Sequence, residues 1–260
     1  YHRQEQTSRT LEYAYDDFVL AQVAQLLGHT ADYDTLMLRS ESFRHVIDPS
    51  TGYANGRHAD GRFLSGSHPY TFASYITEGA PCHYTWYAPH NPHGLMDAMG
   101  GRHRFIAKLD TLFSEHLYWH GNEPCHQIAY LYNYAGEPWK TQRIVRHILD
   151  TEYGDTPGGL AGNDDAGQMS AWYIFSALGF YPVCPGTPYY QMGTPTFERA
   201  TLHLENGRTF TIEAPGTSSE CCYIQSATLN GKPYPHTYLH HDDILQGGVL
   251  RFVMSDTPKR

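Results

Sequence analysis

The sequence predicts a mainly α-helical chain: antiparallel helical hairpins over residues 1–180, then a small antiparallel β unit over 196–260. Three observations predict it. Apolar residues recur at three- and four-residue spacing in one segment after another as far as Leu178. Glycine and proline punctuate those segments, as at Gly28, Pro124, Gly136, Pro138 and Gly179. Beyond Pro195 the period changes to two, with Asn206-Gly207 and Asn230-Gly231 as hairpin signals.

Leu11, Tyr15, Phe18, Val19, Gln22, Val23 and Leu26 predict a helix over 9–28 that stops at Gly28. Thr30 is placed to cap a second helix over 31–46, with Tyr33, Leu36, Met37 and Phe43 on its apolar side. Residues 47–77 are rich in Gly, Pro, Ser, Asn and His without sustained period, the style of a functional loop. Short helices are expected over 79–87 and 92–99, and another over 102–114 after Gly100-Gly101. Pro124 suits the first turn of a helix running to Tyr134, and Pro138 that of one over 138–151, with Trp139, Ile144, Val145, Ile148 and Leu149 inward.

The last helix follows Gly162-Asn-Asp-Asp-Ala-Gly167, with Met169, Trp172, Tyr173, Phe175 and Leu178 near helical spacing. Gly179 is its left-handed cap and Pro182 its stop. Alternation over 201–204, 209–212, 223–229 and 249–254 then predicts strands.

Composition narrows the function. Net charge is −9 and no basic block stands out, which argues against nucleic acid or an anionic membrane as partner. No apolar run reaches the roughly 18 residues of a membrane helix. The chain starts at Tyr1 without a leader, as expected of a processed product or a cut piece. Its 21 Tyr, 4 Trp and 17 His suit sugar binding, and equally an ordinary core with wet edges. Five cysteines without a C-x-x-C pair imply neither a disulfide framework nor a zinc site, and most read as buried thiols.

Three polar, glycine-bearing segments stand just before helices: Thr77-Glu78-Gly79, His120-Gly-Asn122-Glu123-Pro124 and the Asn163-Asp164-Asp165 turn. In an array of hairpins such junctions can converge, and clustered carboxylates must then be protonated, metal-bound or used as acid and base. One fitting arrangement is glycoside hydrolysis by inversion. A hard cation would favour the oxygens of Asn122 and Glu123. The plainer alternatives are that Asp164 or Asp165 caps the helix, and that Glu78 and Glu123 answer helix dipoles. Arg57 and Asp60 either hold sugar hydroxyls or shape a turn. His90 and His93 flank Pro92 and make a poor zinc pair.

The segments Thr10-Leu-Glu-Tyr-Ala-Tyr-Asp-Asp17, Tyr75-Ile-Thr-Glu-Gly79, His120-Gly-Asn-Glu-Pro124, the run from Ala129 to Gln142 and Gly162-Asn-Asp-Asp-Ala-Gly-Gln-Met-Ser-Ala-Trp172 together resemble glycoside hydrolase family 92, the calcium-dependent exo-acting α-mannosidases. The resemblance implies an (α/α)6 catalytic barrel, with residues 1–195 as its C-terminal half and 196–260 as a β extension. It implies release of mannose from a mannose-containing glycan by inversion, and an extracytoplasmic setting. It further implies Glu78 as acid, Asp165 as base, and Asn122 and Glu123 beside Ca2+. Arg57, Asp60, His90, Asn163, Asp164 and Gln168 are the sugar-binding candidates. Glu78 and Asp165 are expected to face each other across one pocket at about 6.5–9.5 Å.

The chain departs from the family pattern. Asn163 and Asn91 stand where Asp is common, and the short link from Gly100 to His120 trims a loop that bears on linkage. The rivals are another (α/α)6 inverting glycosidase or phosphorylase, and a non-catalytic carbohydrate-binding fragment. Half a barrel leaves helix faces open. The apolar sides of 11–26 and 31–46 are therefore expected to meet the N-terminal remainder of the same protein or another chain.

Overall fold

A computed structural model of the chain describes residues 4–260, so the start of the expected 1–195 segment lies outside it. The described residues form two compact units, one ending at Trp119 and one running from His120 to Arg260.

The first unit opens with α1 (Gln6–Leu26) and α2 (Thr30–Ser40). Ala21, Ala24 and Leu36 pack between them, backed by Tyr33 and Met37, and Arg39 bridges to Asp17 at 3.0 Å. Gly28 turns the chain at φ 77°, so the expected stop is where it was placed. The expected cap is not: His29 precedes the helix, Thr30 is its first residue, and no side chain caps it. The second predicted helix also tightens into a 3₁₀ stretch over Glu41–Val46.

A minimal hairpin follows, β1 (Ile47–Asp48) with β2 (Tyr53–Ala54), and then the long irregular segment. The helices α3 (Pro81–Tyr84), α4 (Pro92–Ala98) and α5 (Arg102–Ser114) complete the unit. Each of the first two begins on a proline, whose missing N–H costs nothing in a first turn. Asn91 caps α4 by accepting from Gly94 N at 2.8 Å. Phe105, Leu109 and Leu112 give α5 its buried stripe, and Trp86 meets Phe105 edge-on at 5.3 Å.

The second unit replaces the expected 124–134 helix with 3₁₀ turns at Glu123–Cys125 and Ile128–Tyr130 and a short α6 (Leu131–Tyr134). It continues with α7 (Pro138–Thr151) and α8 (Gln168–Leu178), and Gly179 caps α8 at φ 101°. Two sheets follow. One is antiparallel, in the order β3 (Phe180–Tyr181), β4 (Tyr189–Met192), β9 (Tyr238–His240). The other runs β5 (Arg199–His203), β6 (Thr209–Glu213), β10 (Gly248–Ser255), β7 (Tyr223–Leu229), β8 (Lys232–Pro233). It is mixed rather than wholly antiparallel, because β10 runs parallel to β6. Phe210, Ile212, Leu239, Leu250 and Phe252 form its core.

Helix and sheet are joined within this unit by Arg146 of α7. Its buried guanidinium donates to the Pro195 carbonyl oxygen at 2.6 Å and to Thr217 Oγ1 at 3.1 Å. All five cysteines are free thiols and only Cys221 is not fully buried. No described helix is long and apolar enough to cross a membrane.

Candidate active site

The acidic turn runs directly into α8. Asp165, Ala166 and Gly167 all lie in the left-handed region, at φ 44°, 57° and 95°. An L-residue held there costs roughly 1–2 kcal/mol, so neighbours must hold it. They do so through the turn's own backbone: the Asp164 carbonyl accepts from Gly167 N at 3.1 Å, and the Asp165 carbonyl from Gln168 N at 3.2 Å.

The two aspartates divide the roles left open by the sequence. Asp164 Oδ1 accepts from Ser170 N at 3.0 Å and from Ser170 Oγ at 2.9 Å. Ser170 N is one of the helix's orphan donors, and the Asp164 carboxylate satisfies it from outside the helix, whose N-cap residue is Gly167. Asp165 and Asn163 are exposed. The left-handed turn thus carries an aspartate that is not consumed in this way.

The His120–Pro124 segment lies against this turn. A Cβ at Gly162 would stand 2.4 Å from the Gly121 carbonyl oxygen and 2.7 Å from its Cα, so two backbones touch where both residues are glycine. Asn122, buried, and Glu123, half-buried, are thereby brought beside the turn. Of the three junctions expected to converge, these two lie together within this unit.

Beneath them lies a layer of histidine and aromatic side chains. His126 Nε2 is 3.0 Å from the His120 carbonyl oxygen, which only accepts, so Nε2 carries the proton. His126 Nδ1 then accepts from Gln168 Nε2 at 3.2 Å. Tyr153 Oη donates to the Met169 carbonyl oxygen at 3.0 Å, which makes His120 Nε2 the donor in its 2.7 Å bond to Tyr153. Trp172 Nε1 donates to the His126 carbonyl oxygen at 2.9 Å and crosses the His120 ring at 4.4 Å. Burial pushes His120 down to about 3 and His126 down to about 4, so both are neutral near pH 7.

In the first unit, Glu78 is exposed and also left-handed, at φ 50°. Its backbone is pinned on both sides. Thr77 N donates to Ser8 Oγ at 2.8 Å, and Ala80 N donates to His83 Nδ1 at 3.1 Å. His83 Nε2 in turn bonds the Leu117 carbonyl oxygen at 3.0 Å, and burial lowers its pKa.

The remaining candidates in this unit are tied into their surroundings. Arg57 donates to the carbonyls of Gly61 (2.6 Å) and His45 (2.8 Å). Asp60 accepts from Arg62 N at 3.0 Å and pairs with its guanidinium at 2.8 Å. Those bonds are what the turn-shaping alternative requires. His90 stacks on Phe18 at 5.4 Å and donates through Nε2 to the Ser40 carbonyl oxygen at 2.9 Å.

Among the described residues, no cluster of three or more His, Cys, Asp or Glu side chains is arranged to hold a metal. Asn122 and Glu123, which follow Gly121 in the chain, offer hard oxygens, an amide and a carboxylate. The adjoining imidazole of His126 has both nitrogens bonded within the protein. That set fits calcium rather than zinc, with only part of the six to eight oxygens calcium takes. Sequence reasoning missed His126, Tyr153 and His83.

The chain matches the glycosyl hydrolase family 92 catalytic domain over residues 1–256. A family GH92 α-mannosidase from Bacteroides thetaiotaomicron is 45% identical and superposes with a TM-score of 0.93, over 97% of this chain and 35% of its own. A family GH92 inverting mannosidase from the same organism is 36% identical with a TM-score of 0.93, over 98% of this chain and 38% of its own. An uncharacterized secreted glycosidase of Arthroderma benhamiae is 29% identical over 95% of this chain. The chain spans 35% of that protein's length.

Proposed function

From a chain that belongs to glycosyl hydrolase family 92, we infer the C-terminal catalytic part of an exo-acting glycosidase that releases mannose from α-mannosides with inversion. Glu78 is the general acid and Asp165 the general base. One observation carries the assignment. These two exposed carboxylates both sit on left-handed backbone, at φ 50° and 44°, the first beside a bond to Ser8 and the second in a turn closed by its own backbone. Strain of that kind collects where a side chain must be aimed.

Chemistry sets the division of labour. Glu78, protonated, gives its proton to the glycosidic oxygen as the bond to the anomeric carbon breaks. Asp165 takes a proton from the water that attacks the opposite face. Inversion needs the two carboxyls about 6.5–9.5 Å apart to admit that water. Asn163 and Gln168 flank the base and bind sugar hydroxyls, while Asp164 holds the turn. Asn122 and Glu123 would hold calcium, which when bound supplies positive charge to sugar oxygens. The secreted description of the fungal relative supports an extracytoplasmic setting here. This chain spans little more than a third of each of these relatives, which supports reading residues 1–195 as part of an (α/α)6 barrel rather than the whole of one.

The test is Glu78→Gln in the whole protein. Losing general acid catalysis should cost about 10²–10⁴-fold on mannosides with poor leaving groups. Aryl mannosides whose leaving group needs no proton should suffer far less. Equal losses on both would remove Glu78 from the acid role.

A further inference from the structure

His126 lies outside the residues assigned above to acid, base and metal. It is 1% exposed and both ring nitrogens are bonded. The His120 carbonyl fixes the proton on Nε2, so Nδ1 presents a bare lone pair to the Gln168 amide. An amide oxygen there would set two lone pairs against each other. The ring therefore decides which way the amide faces, and nitrogen is the atom that meets it.

The second amide proton of Gln168 goes to Tyr181 Oη at 3.1 Å. With both N–H bonds committed, the one group Gln168 can offer a ligand is Oε1, an acceptor for a hydroxyl. Gln168 is also the first residue of α8, and its backbone N–H donates to the Asp165 carbonyl. Ring, amide and aspartate are linked in sequence, and the last of them is on strained backbone.

We propose that His126 is a positioning residue: through Nδ1 it fixes the Gln168 side chain, which steadies the Asp165 turn and leaves Oε1 to accept from a sugar hydroxyl. The proposal rests on the glycosidase reading above. A ring that merely filled the core would predict something different, because the two nitrogens do different jobs. His126→Gln sets an amide nitrogen near the Nε2 position, keeping the donor to His120 but losing the acceptor for Gln168. His126→Asn sets an oxygen near the Nδ1 position, keeping that acceptor but losing the donor and more volume.

The experiment measures kcat and KM on a mannoside for both variants in the whole protein, with melting curves alongside. If a freed turn drifts by about 1 Å, His126→Gln should lose about 100-fold in kcat. His126→Asn should stay within about fivefold of the parent although it is the less stable protein. Equal kcat values, or the opposite order, would overturn the proposal. Nitrogen-15 NMR of the parent imidazole decides it even if a variant does not fold. A proton on Nε2 supports the link, whereas a proton on Nδ1 means the amide is reversed and the proposal is wrong. A parent with no hydrolase activity would refute the glycosidase reading instead, leaving the tautomer to judge the His126–Gln168 link by itself.

Discussion

Gly162→Ala is the sharpest probe of how the acidic turn is held. Gly162 is not among the glycines with positive φ, so alanine carries no backbone penalty there, and the effect is steric. The added Cβ would stand 2.4 Å from Gly121 O, 2.7 Å from its Cα and 2.9 Å from its carbonyl carbon. All three are main-chain atoms, so no side chain can swing aside. Ordinary contact begins near 3.4 Å, and the turn and the 120–124 segment must part by about 1 Å to regain it.

Overpacking of this kind costs about 1–3 kcal/mol, partly offset by the 0.4–1 kcal/mol that replacing glycine removes from unfolded-state entropy. We expect a net loss of about 1–2 kcal/mol in urea unfolding. Because the displacement falls between Asp165 and the Asn122-Glu123 segment, kcat/KM on a mannoside should drop about 100-fold. Gly158→Ala is the control: it lies on the same connection, is open on all sides and should be neutral or slightly stabilising. A Gly162→Ala protein with parental midpoint and parental activity would show that the two segments do not touch.

Other expectations follow from the same geometry. His120 and His126 are held neutral, with folded values of about 3 and 4 against 6.5. Folded-state pKa values below the unfolded one mean that the unfolded chain binds more protons. Their contribution is therefore intact above pH 6.5 and lost as pH falls towards 4, at up to about 1.4 kcal/mol per pH unit for each ring. Urea midpoints at pH 7, 6 and 5 check this, and a flat profile would count against it. EGTA should abolish mannoside hydrolysis and added calcium should restore it; full activity in excess chelator with no metal detected would refute the calcium proposal. Leu26 and Leu38 are 87% and 77% exposed on α1 and α2. Leu26→Ser with Leu38→Ser should change the unfolding free energy of the 260-residue chain by less than about 0.5 kcal/mol each. The same pair should reduce its aggregation in light scattering. Unchanged aggregation would argue that this face is not the sticky one.

How much of this was legible in the sequence depends on how local each cause is. The helices over 102–114 and 138–151 were placed at their observed bounds because Gly101, Pro138 and the apolar stripes act within a few residues. The expected 124–134 helix fails for a distant reason. The His126 carbonyl, which an α-helix would offer to Tyr130 N, accepts from the Trp172 indole instead, while Tyr130 N bonds Gln127 O in a 3₁₀ turn. Alternation likewise marked Val249–Met254 as a strand, yet it says nothing of partners, and the parallel pairing with β6 stayed hidden.

The site divides along the same line. Glycines around two acidic residues marked the turn, but only the fold separates Asp164, bonded to Ser170, from Asp165 in left-handed backbone. Arg57 and Asp60 show the converse, because a short glycine-flanked motif was enough to suggest a turn and their bonds close one. His126 was beyond reach for a stricter reason. An imidazole can donate or accept at either nitrogen, and what it does here is dictated by the His120 carbonyl and the Gln168 amide together. A residue whose role is fixed by two partners on separate segments has no signature in its own neighbourhood. The residues that brace the Asp165 turn are for that reason harder to read than the turn itself.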